Sequence, residues 1–271
     1  MNEPIQSDAL MRANPVRARL LAGGTAYGLM AFEFFTPGLM AVLAAAGAEF
    51  VVLDMEHSGI GIDTIRQQVA ASRGLDIVPI VRVPGCHYHL IAPVLDAGAM
   101  GIMVPMLETV EQARQIAAWC RYRPQGVRGL AFDIAHDDFR SGDVIRKMQQ
   151  ANARTLVIPL IETATGIANV DDIMAVEGID IGWLGHFDLT NSMGITGAFD
   201  HPDFNRAVDR LVAACRRNDK PPGILAGSVA MAESFRARGF RCIGYGTDIS
   251  LLRDSLRDGI ARLRQTQGEV P

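Results

Sequence analysis

The chain has 271 residues, of which 49% are hydrophobic and 21% charged, and its formal net charge is −4. This composition is typical of a globular protein and argues against intrinsic disorder. The slightly negative charge, without any block of like charges, disfavours nucleic acid as a partner, because phosphate binding requires a concentrated basic surface. We expect residues 1–271 to form a single domain, with about the first 15 residues flexible.

The sequence carries no sign of a membrane segment or a secretion signal. Segment 1–20 is polar, and no apolar run reaches the roughly 18 uncharged residues of a spanning helix. The cysteines are scattered without a CxxC pair, which favours reduced thiols at Cys86, Cys120, Cys215 and Cys242. These features predict a cytoplasmic protein that does not act at a membrane.

Short apolar runs alternate along the chain with segments of helical periodicity. The runs predict strands at Tyr27–Phe32, Phe50–Asp54, Val78–Val81, Met100–Val104, Leu156–Ile161, Ile179–Leu184, Gly223–Leu225 and Cys242–Tyr245. Apolar residues three and four positions apart predict helices at Thr64–Ser72, Val110–Cys120, Pro202–Arg216, Ala230–Arg238 and Ser250–Leu263. Eight strand–helix units in about 250 residues predict a closed (β/α)₈ TIM barrel, although an open parallel sheet would show the same alternation.

One connection, between Cys120 and Leu156, is much longer than the others. Only Asp143–Asn152 within it has helical spacing. A long polar loop in a compact domain is usually a lid, a binding loop or an interface. A solvated excursion explains its charged residues equally well, namely Arg128, His136, Asp137 and Asp138.

Ionisable residues end several of the predicted strands. In a (β/α)₈ barrel the active site lies at the C-terminal ends of the strands, so residues distant in sequence converge there. The candidates are Asp54, Glu56, His57, Arg82, Glu162, His186, Asp188 and Asp248. Asp248 is better explained as a helix cap than as a catalytic group.

Glu162 and Asp188 both follow runs that should be buried. Two carboxylates at the mouth of a barrel repel each other unless a cation lies between them. Oxygen ligands with open coordination positions suit Mg²⁺ or Mn²⁺, with Co²⁺ as an alternative. The two carboxylates therefore predict a divalent metal. Neither GxGxxG after the first strand nor GxxxxGK[ST] occurs, which disfavours dinucleotide and nucleoside-triphosphate binding, so we predict no organic cofactor.

His57 and Arg82 are the other two groups to which we assign chemistry. A histidine beside carboxylates can be tuned for proton transfer near neutral pH, although a single histidine is often structural. A guanidinium at the depth of Arg82 is costly unless it meets an anion, such as a carboxylate or a developing enolate.

These residues lie in motifs that resemble the metal-dependent class II pyruvate aldolases of the HpcH/HpaI family. That family includes 4-hydroxy-2-oxoheptanedioate, 2-keto-3-deoxyrhamnonate and 5-keto-4-deoxyglucarate aldolases. The resemblance runs from about Tyr27 to Leu263. It is carried by LDMEH (53–57), PIVRVPG (79–85), VLDAGAMGIMVPM (94–106), RYRPQGVRGL (121–130), LIETATGIANVDDI (160–173), GHFDLTNSMG (185–194) and GYGTDISLL (244–252).

The resemblance implies catalytic roles for the matching residues. Glu162 and Asp188 would hold the metal. Arg82 would bind the 2-oxo oxygen and stabilise the enolate. His57, supported by Asp54, would act as the base.

The resemblance also implies contacts beyond these groups. Asp96 matches the position from which the family reaches into the site of a neighbouring subunit. Backbone amides at Gly185 and His186 would bind the pyruvate carboxylate. The family further implies a homo-oligomer, usually a hexamer built as a trimer of dimers, with C-terminal helices exchanged between subunits.

Two residues depart from the family pattern. Leu160 stands where glutamine or methionine is common, so the floor of the pocket should be more apolar. His186 replaces the usual proline before the metal aspartate, and it either touches substrate or packs beside the loop.

The predicted reaction is reversible cleavage of a 4-hydroxy-2-oxo acid to pyruvate, or a close 2-oxo acid, and an aldehyde through a metal-stabilised enolate. The chain has two lysines, Lys147 and Lys220, and neither ends a predicted strand, so a Schiff-base mechanism is disfavoured. The alternatives are a citrate-lyase-like or malyl-coenzyme-A-like lyase, a 2-oxo acid hydrolase or decarboxylase, and a non-catalytic 2-oxo acid binding protein.

Overall fold

Eight parallel strands pair in sequence order, and the last pairs with the first to close the barrel. In this computed structural model, which describes residues 9–266, the strands are β1 Ala26–Ala31, β2 Phe50–Asp54, β3 Val78–Arg82, β4 Gly101–Val104, β5 Leu156–Ile161, β6 Gly182–Leu184, β7 Pro222–Ala226 and β8 Cys242–Thr247. The predicted closed TIM barrel is therefore confirmed.

Most predicted strands agree with the structure to within one or two residues, but β6 begins three residues later than predicted. The reason is Asp180, which the apolar pattern places inside the strand. Its carboxylate accepts the Val157 N–H at 2.9 Å and forms ion pairs with Arg17 and Arg121. The Asp180 side chain thus accepts a hydrogen bond from β5 that a backbone carbonyl would accept in a longer strand.

Helices cover the outside of the barrel. They are α1 Pro15–Leu21, α2 Leu39–Ala45, α3 Ile62–Ala71, α4 Tyr88–Asp96, α5 Val110–Trp119, α6 Val144–Arg154, α7 Ala164–Ala168, α8 Val170–Ala175, α9 His186–Ser192, α10 Pro202–Arg217, α11 Val229–Ala237 and α12 Asp248–Thr266. Among residues 9–266, no helix combines the length and the apolar character needed to cross a membrane.

The inside of the barrel is filled by apolar side chains from alternate strand positions. Met103, Leu160 and Trp183 belong to this inner cluster, and the Trp183 ring meets that of Phe50 edge to face at 6.3 Å. A second, larger cluster lies between the strands and the helices. The barrel interior is therefore a packed core rather than a pore, and in this fold ligands bind at its C-terminal end.

The N-terminal segment before α1 is tied to the opposite end of the barrel. The Gln150 side chain accepts the backbone N–H groups of Leu10 and Met11, and the Asn14 side chain donates to the carbonyls of Met100 and Arg154. The expected flexibility of the first 15 residues does not describe residues 9–14, and residues 1–8 lie outside the described residues.

The long connection between α5 and α6 has a buried, ion-paired part, although residues 123–125, 129–130 and 139–143 are exposed. Lys147 on α6 is fully buried, and its Nζ lies 2.7 Å from Asp133 and 2.8 Å from Asp137. Arg128, His136 and Asp137 are also buried. Buried charges are tolerated because each meets a partner within the same segment or on a neighbouring helix.

We expect Lys147→Ala to lower the free energy of unfolding by about 3–5 kcal/mol, because it leaves the buried Asp137 carboxylate without its cation. Urea denaturation followed by circular dichroism measures the change. Arg114→Ala, which breaks an exposed 3.8 Å pair with Glu111, should cost less than about 1 kcal/mol. If Lys147→Ala lowers the free energy of unfolding no more than this control does, the buried ion pair of Lys147 and Asp137 does not stabilise the fold.

Candidate active site

A cavity of about 200 Å³ opens at the C-terminal ends of the strands. Its polar lining comes from residues at or just after the C-terminal ends of four strands, β2, β3, β5 and β6, and its remaining wall is largely apolar. The polar residues are His57, Arg82, Glu162, His186 and Asp188. Closure of the barrel thus brings together the metal, base and arginine candidates of the sequence analysis.

Glu162 follows β5 and is almost completely buried. Its Oε1 accepts the Met106 N–H at 2.7 Å, and its Oε2 has no hydrogen-bond partner within residues 9–266. Burial, together with the nearby Asp188, raises the pKa of Glu162 to about 7, although the Met106 N–H opposes the shift. The carboxylate therefore lies where a positive charge would stabilise its ionised form.

Asp188 lies in the first turn of α9 and lines the same cavity. Its carboxylate has neither a hydrogen bond nor an ion pair with any described residue. Gly185 leaves room beside Glu162, since a Cβ at this position would lie 2.5 Å from Glu162 Oε2. Two carboxylates with free oxygens are a donor set that fits a hard divalent cation.

A cation here would have only these two protein carboxylates as ligands. Within residues 9–266, no three His, Cys, Asp or Glu side chains converge on a possible metal position. A two-carboxylate site leaves several coordination positions for substrate oxygens and water.

Arg82, the last residue of β3, is held by two carboxylates. Its Nε donates to Asp54 Oδ1 at 2.5 Å, and its Nη1 lies 3.1 Å from Glu56 Oε2. The Phe32 ring lies 5.6 Å from the guanidinium carbon. Nη2 has no partner in the described part of the chain, so this nitrogen is available to an oxygen in the cavity.

His57 is placed by Asp54, but through the backbone rather than the imidazole. Asp54 Oδ2 accepts the His57 main-chain N–H at 2.9 Å. The carboxylate near the imidazole is that of Glu56, with Nε2 and Oε2 3.7 Å apart. The His57 side chain is 59% exposed, so it can reach a ligand at the mouth of the cavity. Support for the base by Asp54 is therefore indirect.

The amides predicted to bind a carboxylate are only partly free. The Gly185 N–H donates to the Ile161 carbonyl at 3.1 Å within the sheet, so this amide does not point at a ligand. The His186 N–H has no partner among residues 9–266. The His186 ring packs against Phe187 and Phe199, and burial lowers its pKa to about 4. The ring is thus a neutral part of the wall.

Leu160 lies on the inner face of β5 and forms part of the cavity floor. Met30, Met103, Trp183 and Leu225 line the same floor, which sequence analysis did not single out. Their inward direction follows from the two-residue period of the strands, which could have identified them. By contrast, no sequence signal predicts the positive φ of 53° that Met106 adopts next to Glu162.

Asp96 does not approach the cavity of its own chain. It ends α4, which runs back to the N-terminal end of the barrel, and its Oδ1 accepts from Arg128 Nη2 at 2.6 Å. No residue of the long connection lines the cavity either. The long connection therefore contributes no wall to the cavity of its own chain, and its role as a lid, a binding loop or an interface stays a prediction.

Asp248, which the sequence predicts to be a helix cap, also positions the loop after β1. Its buried carboxylate accepts backbone N–H groups from Phe32, Glu33 and Phe34, as well as from Ile249 in its own helix. These bonds hold the loop after β1, which places the Phe32 ring beside Arg82. Asp248 thus shapes the cavity without lining it.

Comparison with known proteins agrees with this fold and identifies the family. A model of the HpcH/HpaI aldolase/citrate lyase family matches residues 30–255. The chain is 35% identical over 214 residues to 5-keto-4-deoxy-D-glucarate aldolase of Klebsiella pneumoniae, covering 79% of this chain and 83% of the relative. It is 34% identical over 255 residues to hydroxypyruvate/pyruvate aldolase of Delftia acidovorans, covering 94% of each chain.

A solved structure shows the same architecture. The crystal structure of an HpcH/HpaI aldolase/citrate lyase family protein from Burkholderia cenocepacia matches with a TM-score of 0.87 and 32% identity, covering 93% of this chain and 100% of that one. The fold and site define a TIM-barrel lyase that acts on small molecules. The chain belongs to the HpcH/HpaI aldolase/citrate lyase family, and the predicted enzyme class, an aldolase-type carbon–carbon lyase, is confirmed.

We expect Gly185→Ala to weaken binding of Mn²⁺ by at least roughly tenfold, because the added methyl group would displace the Glu162 carboxylate. Mn²⁺ binding followed by electron paramagnetic resonance measures the dissociation constant. Gly227→Ala is the matched control, since a Cβ at that position on the same face meets nothing within 4 Å. Equal affinities of the two variants would contradict the assignment of Glu162.

Proposed function

We propose that this single-domain chain is a divalent-metal-dependent pyruvate aldolase. It reversibly cleaves a 4-hydroxy-2-oxo acid to pyruvate, or a close 2-oxo acid, and an aldehyde. The observation that carries the proposal is the convergence of Glu162, Asp188 and Arg82 on one cavity whose mouth also holds His57. Membership of the HpcH/HpaI family supports the same reaction and favours a divalent metal.

Glu162 and Asp188 are the proposed metal ligands, with Mg²⁺ or Mn²⁺ as the favoured ion and Co²⁺ as an alternative. The support is the free Oε2 of Glu162, the unpaired Asp188 carboxylate and the space left by Gly185. A bound divalent cation would supply Lewis-acid stabilisation of the negative charge that develops on the 2-oxo oxygen.

Arg82 is the proposed partner of that same oxygen. Asp54 and Glu56 hold the guanidinium in a fixed direction, so the free Nη2–H groups need little rearrangement to donate to the developing oxyanion. The N–H of His186 is the proposed donor to the carboxylate of the 2-oxo acid. The Gly185 amide is excluded from this role because it is bonded to Ile161.

His57 is the proposed general base. In the cleavage direction it removes the proton of the 4-hydroxyl group, the C3–C4 bond breaks, and the aldehyde leaves. Glu56, whose Oε2 lies 3.7 Å from Nε2, stabilises the imidazolium that forms. The electron pair of the broken bond moves into the enolate of the 2-oxo acid, which is then protonated at C3.

The lysines of the chain support a mechanism without a Schiff base. Lys147 Nζ is buried between Asp133 and Asp137, and Lys220 Nζ donates to the carbonyls of Met174 and Val176. Neither side chain lines the cavity. No amine of this chain's lysines is therefore positioned to attack a carbonyl carbon.

Exchange of the methyl protons of pyruvate in D₂O, followed by NMR, tests the proposal without a choice of aldehyde. Metal-stripped protein should lose exchange, and Mg²⁺ or Mn²⁺ should restore it. Glu162→Ala should not respond to metal, and His57→Ala should slow exchange by roughly 10²-fold or more. Glu111→Ala, on the exposed face of α5, is the control. Full exchange by the stripped protein or by Glu162→Ala would refute the proposal.

We also propose that the chain is a homo-oligomer, a hexamer built as a trimer of dimers, in which α12 is exchanged between subunits and Asp96 reaches a neighbouring site. The support comes from α12, where every residue from Ser255 to Thr266 is exposed. Leu252, Leu256, Ile260 and Leu263 form an apolar stripe on this helix. Such a stripe is stable only when another surface covers it.

Light scattering coupled to size exclusion tests the assembly. The wild-type protein should elute as a species larger than the 29.3 kDa chain. Leu256→Asp should shift it to smaller species, because a charge in a buried apolar interface is destabilising. Gln265→Asp, on the opposite side of the helix, should leave the mass unchanged. A monomeric wild-type protein would be incompatible with the proposed assembly.

A further inference from the structure

The cavity contains few positive charges that are free to bind an anion. Its cationic candidates are Arg82, His57 and His186. Arg82 is already paired with Asp54 and Glu56, and its free Nη2 is needed for the 2-oxo oxygen. The His186 ring packs against Phe187 and Phe199, so it forms part of the aromatic wall. His57 lies beside the Glu56 carboxylate, and the proposed reaction uses it as a base.

The loops around the mouth of the cavity carry negative charge. The seven connections between the ends of β1–β7 and the next helices, residues 32–38, 55–61, 83–87, 105–109, 162–163, 185 and 227–228, contain no lysine or arginine. They contain Glu33, Glu56, Glu108 and Glu162. A divalent cation would offset Glu162 and Asp188, and Asp54 already offsets Arg82, so the rim remains negative.

The rest of the cavity wall is apolar. Phe32, Leu160, Trp183 and Leu225 line it, and Phe187 lies at the mouth with 61% of its surface exposed. An aldehyde whose substituent packs here exchanges water for apolar contacts. A carboxylate placed against the same surfaces loses its hydration and gains no cation in return.

We infer that the aldehyde half of the site selects uncharged aldehydes and discriminates against aldehydes that bear a carboxylate. This inference rests on the proposed aldolase reaction and names the substrate class of the same site. The discrimination comes from the acidic loops and the apolar wall, whereas Arg82 and the metal ligands serve the 2-oxo acid common to all substrates.

A matched pair of aldehydes tests this selectivity. Succinic semialdehyde and its methyl ester share one carbon chain and differ in a single negative charge. With the Mn²⁺-loaded protein and saturating pyruvate, we expect kcat/KM for the ester to exceed that for the acid by roughly tenfold at low ionic strength. The ratio should fall as salt screens the rim. Equal kcat/KM values for the ester and the acid, or a higher value for the acid, overturn the inference.

Two variants locate the source of the preference. Phe187→Arg places a cation at the mouth of the cavity and should reduce the ester-to-acid ratio severalfold. Leu21→Arg adds the same charge on exposed α1 at the other end of the barrel and should leave the ratio unchanged. If the Phe187→Arg variant is still active and its ester-to-acid ratio of kcat/KM is unchanged, that result also counts against the inference. If Phe187→Arg loses activity, the ester-to-acid ratio of the wild-type protein alone tests the inference.

The deuterium exchange of pyruvate separates this inference from the proposed function. Exchange requires no aldehyde, so its absence under every metal would refute the aldolase proposal. Exchange together with a preference for the charged semialdehyde would refute only the selectivity inferred here.

Discussion

The buried carboxylate of Glu162 is the group on which the arrangement of the site depends. One of its oxygens is bound by the Met106 N–H, and the other faces the cavity without a partner among residues 9–266. Burial and the neighbouring Asp188 both disfavour its charged form. In the proposed site a divalent cation held by the two acids would relieve this cost, and Gly185 leaves the space beside Glu162 open because it lacks a side chain.

A second network sets the direction of the reacting groups. Asp54 contacts both the Arg82 side chain and the His57 backbone, so one buried carboxylate positions the proposed oxyanion partner and the backbone of the proposed base. Glu56 joins the same two residues on the side of the cavity. Because the four residues come from the ends of two adjacent strands, the barrel itself keeps them in register.

Parts of the chain far from the cavity stabilise this geometry. Asp248, at the start of α12, holds the loop that carries Phe32, so the exposed C-terminal helix is connected to the wall of the site. In the proposed oligomer, contacts made by α12 would therefore act close to the cavity. The long connection, by contrast, is anchored by Lys147 away from the site.

Much of this molecule could be predicted from its sequence because its signals are local. The two-residue and 3.6-residue periods located the strands and helices, and the ionisable residues after apolar runs identified Arg82, Glu162 and Asp188. The motifs identified the family. Sequence reasoning extended β6 too far, because it could not show that Asp180 bonds the neighbouring strand through its side chain.

Contacts between distant segments could be decided only by the tertiary structure. The bond from Met106 to Glu162 depends on a left-handed backbone at a methionine, which no local pattern predicts. The bonded state of the Gly185 amide and the anchoring of the loop after β1 by Asp248 depend on how separate segments are brought together. The approach of the Glu56 carboxylate to the neighbouring His57 imidazole depends on the directions of the two side chains. The order of residues along the chain sets which chemical groups the strands deliver to one end of the barrel. Closure and packing decided which of them meet, because residues that contact each other can lie far apart along the chain, 56 positions for Met106 and Glu162 and 216 for Phe32 and Asp248.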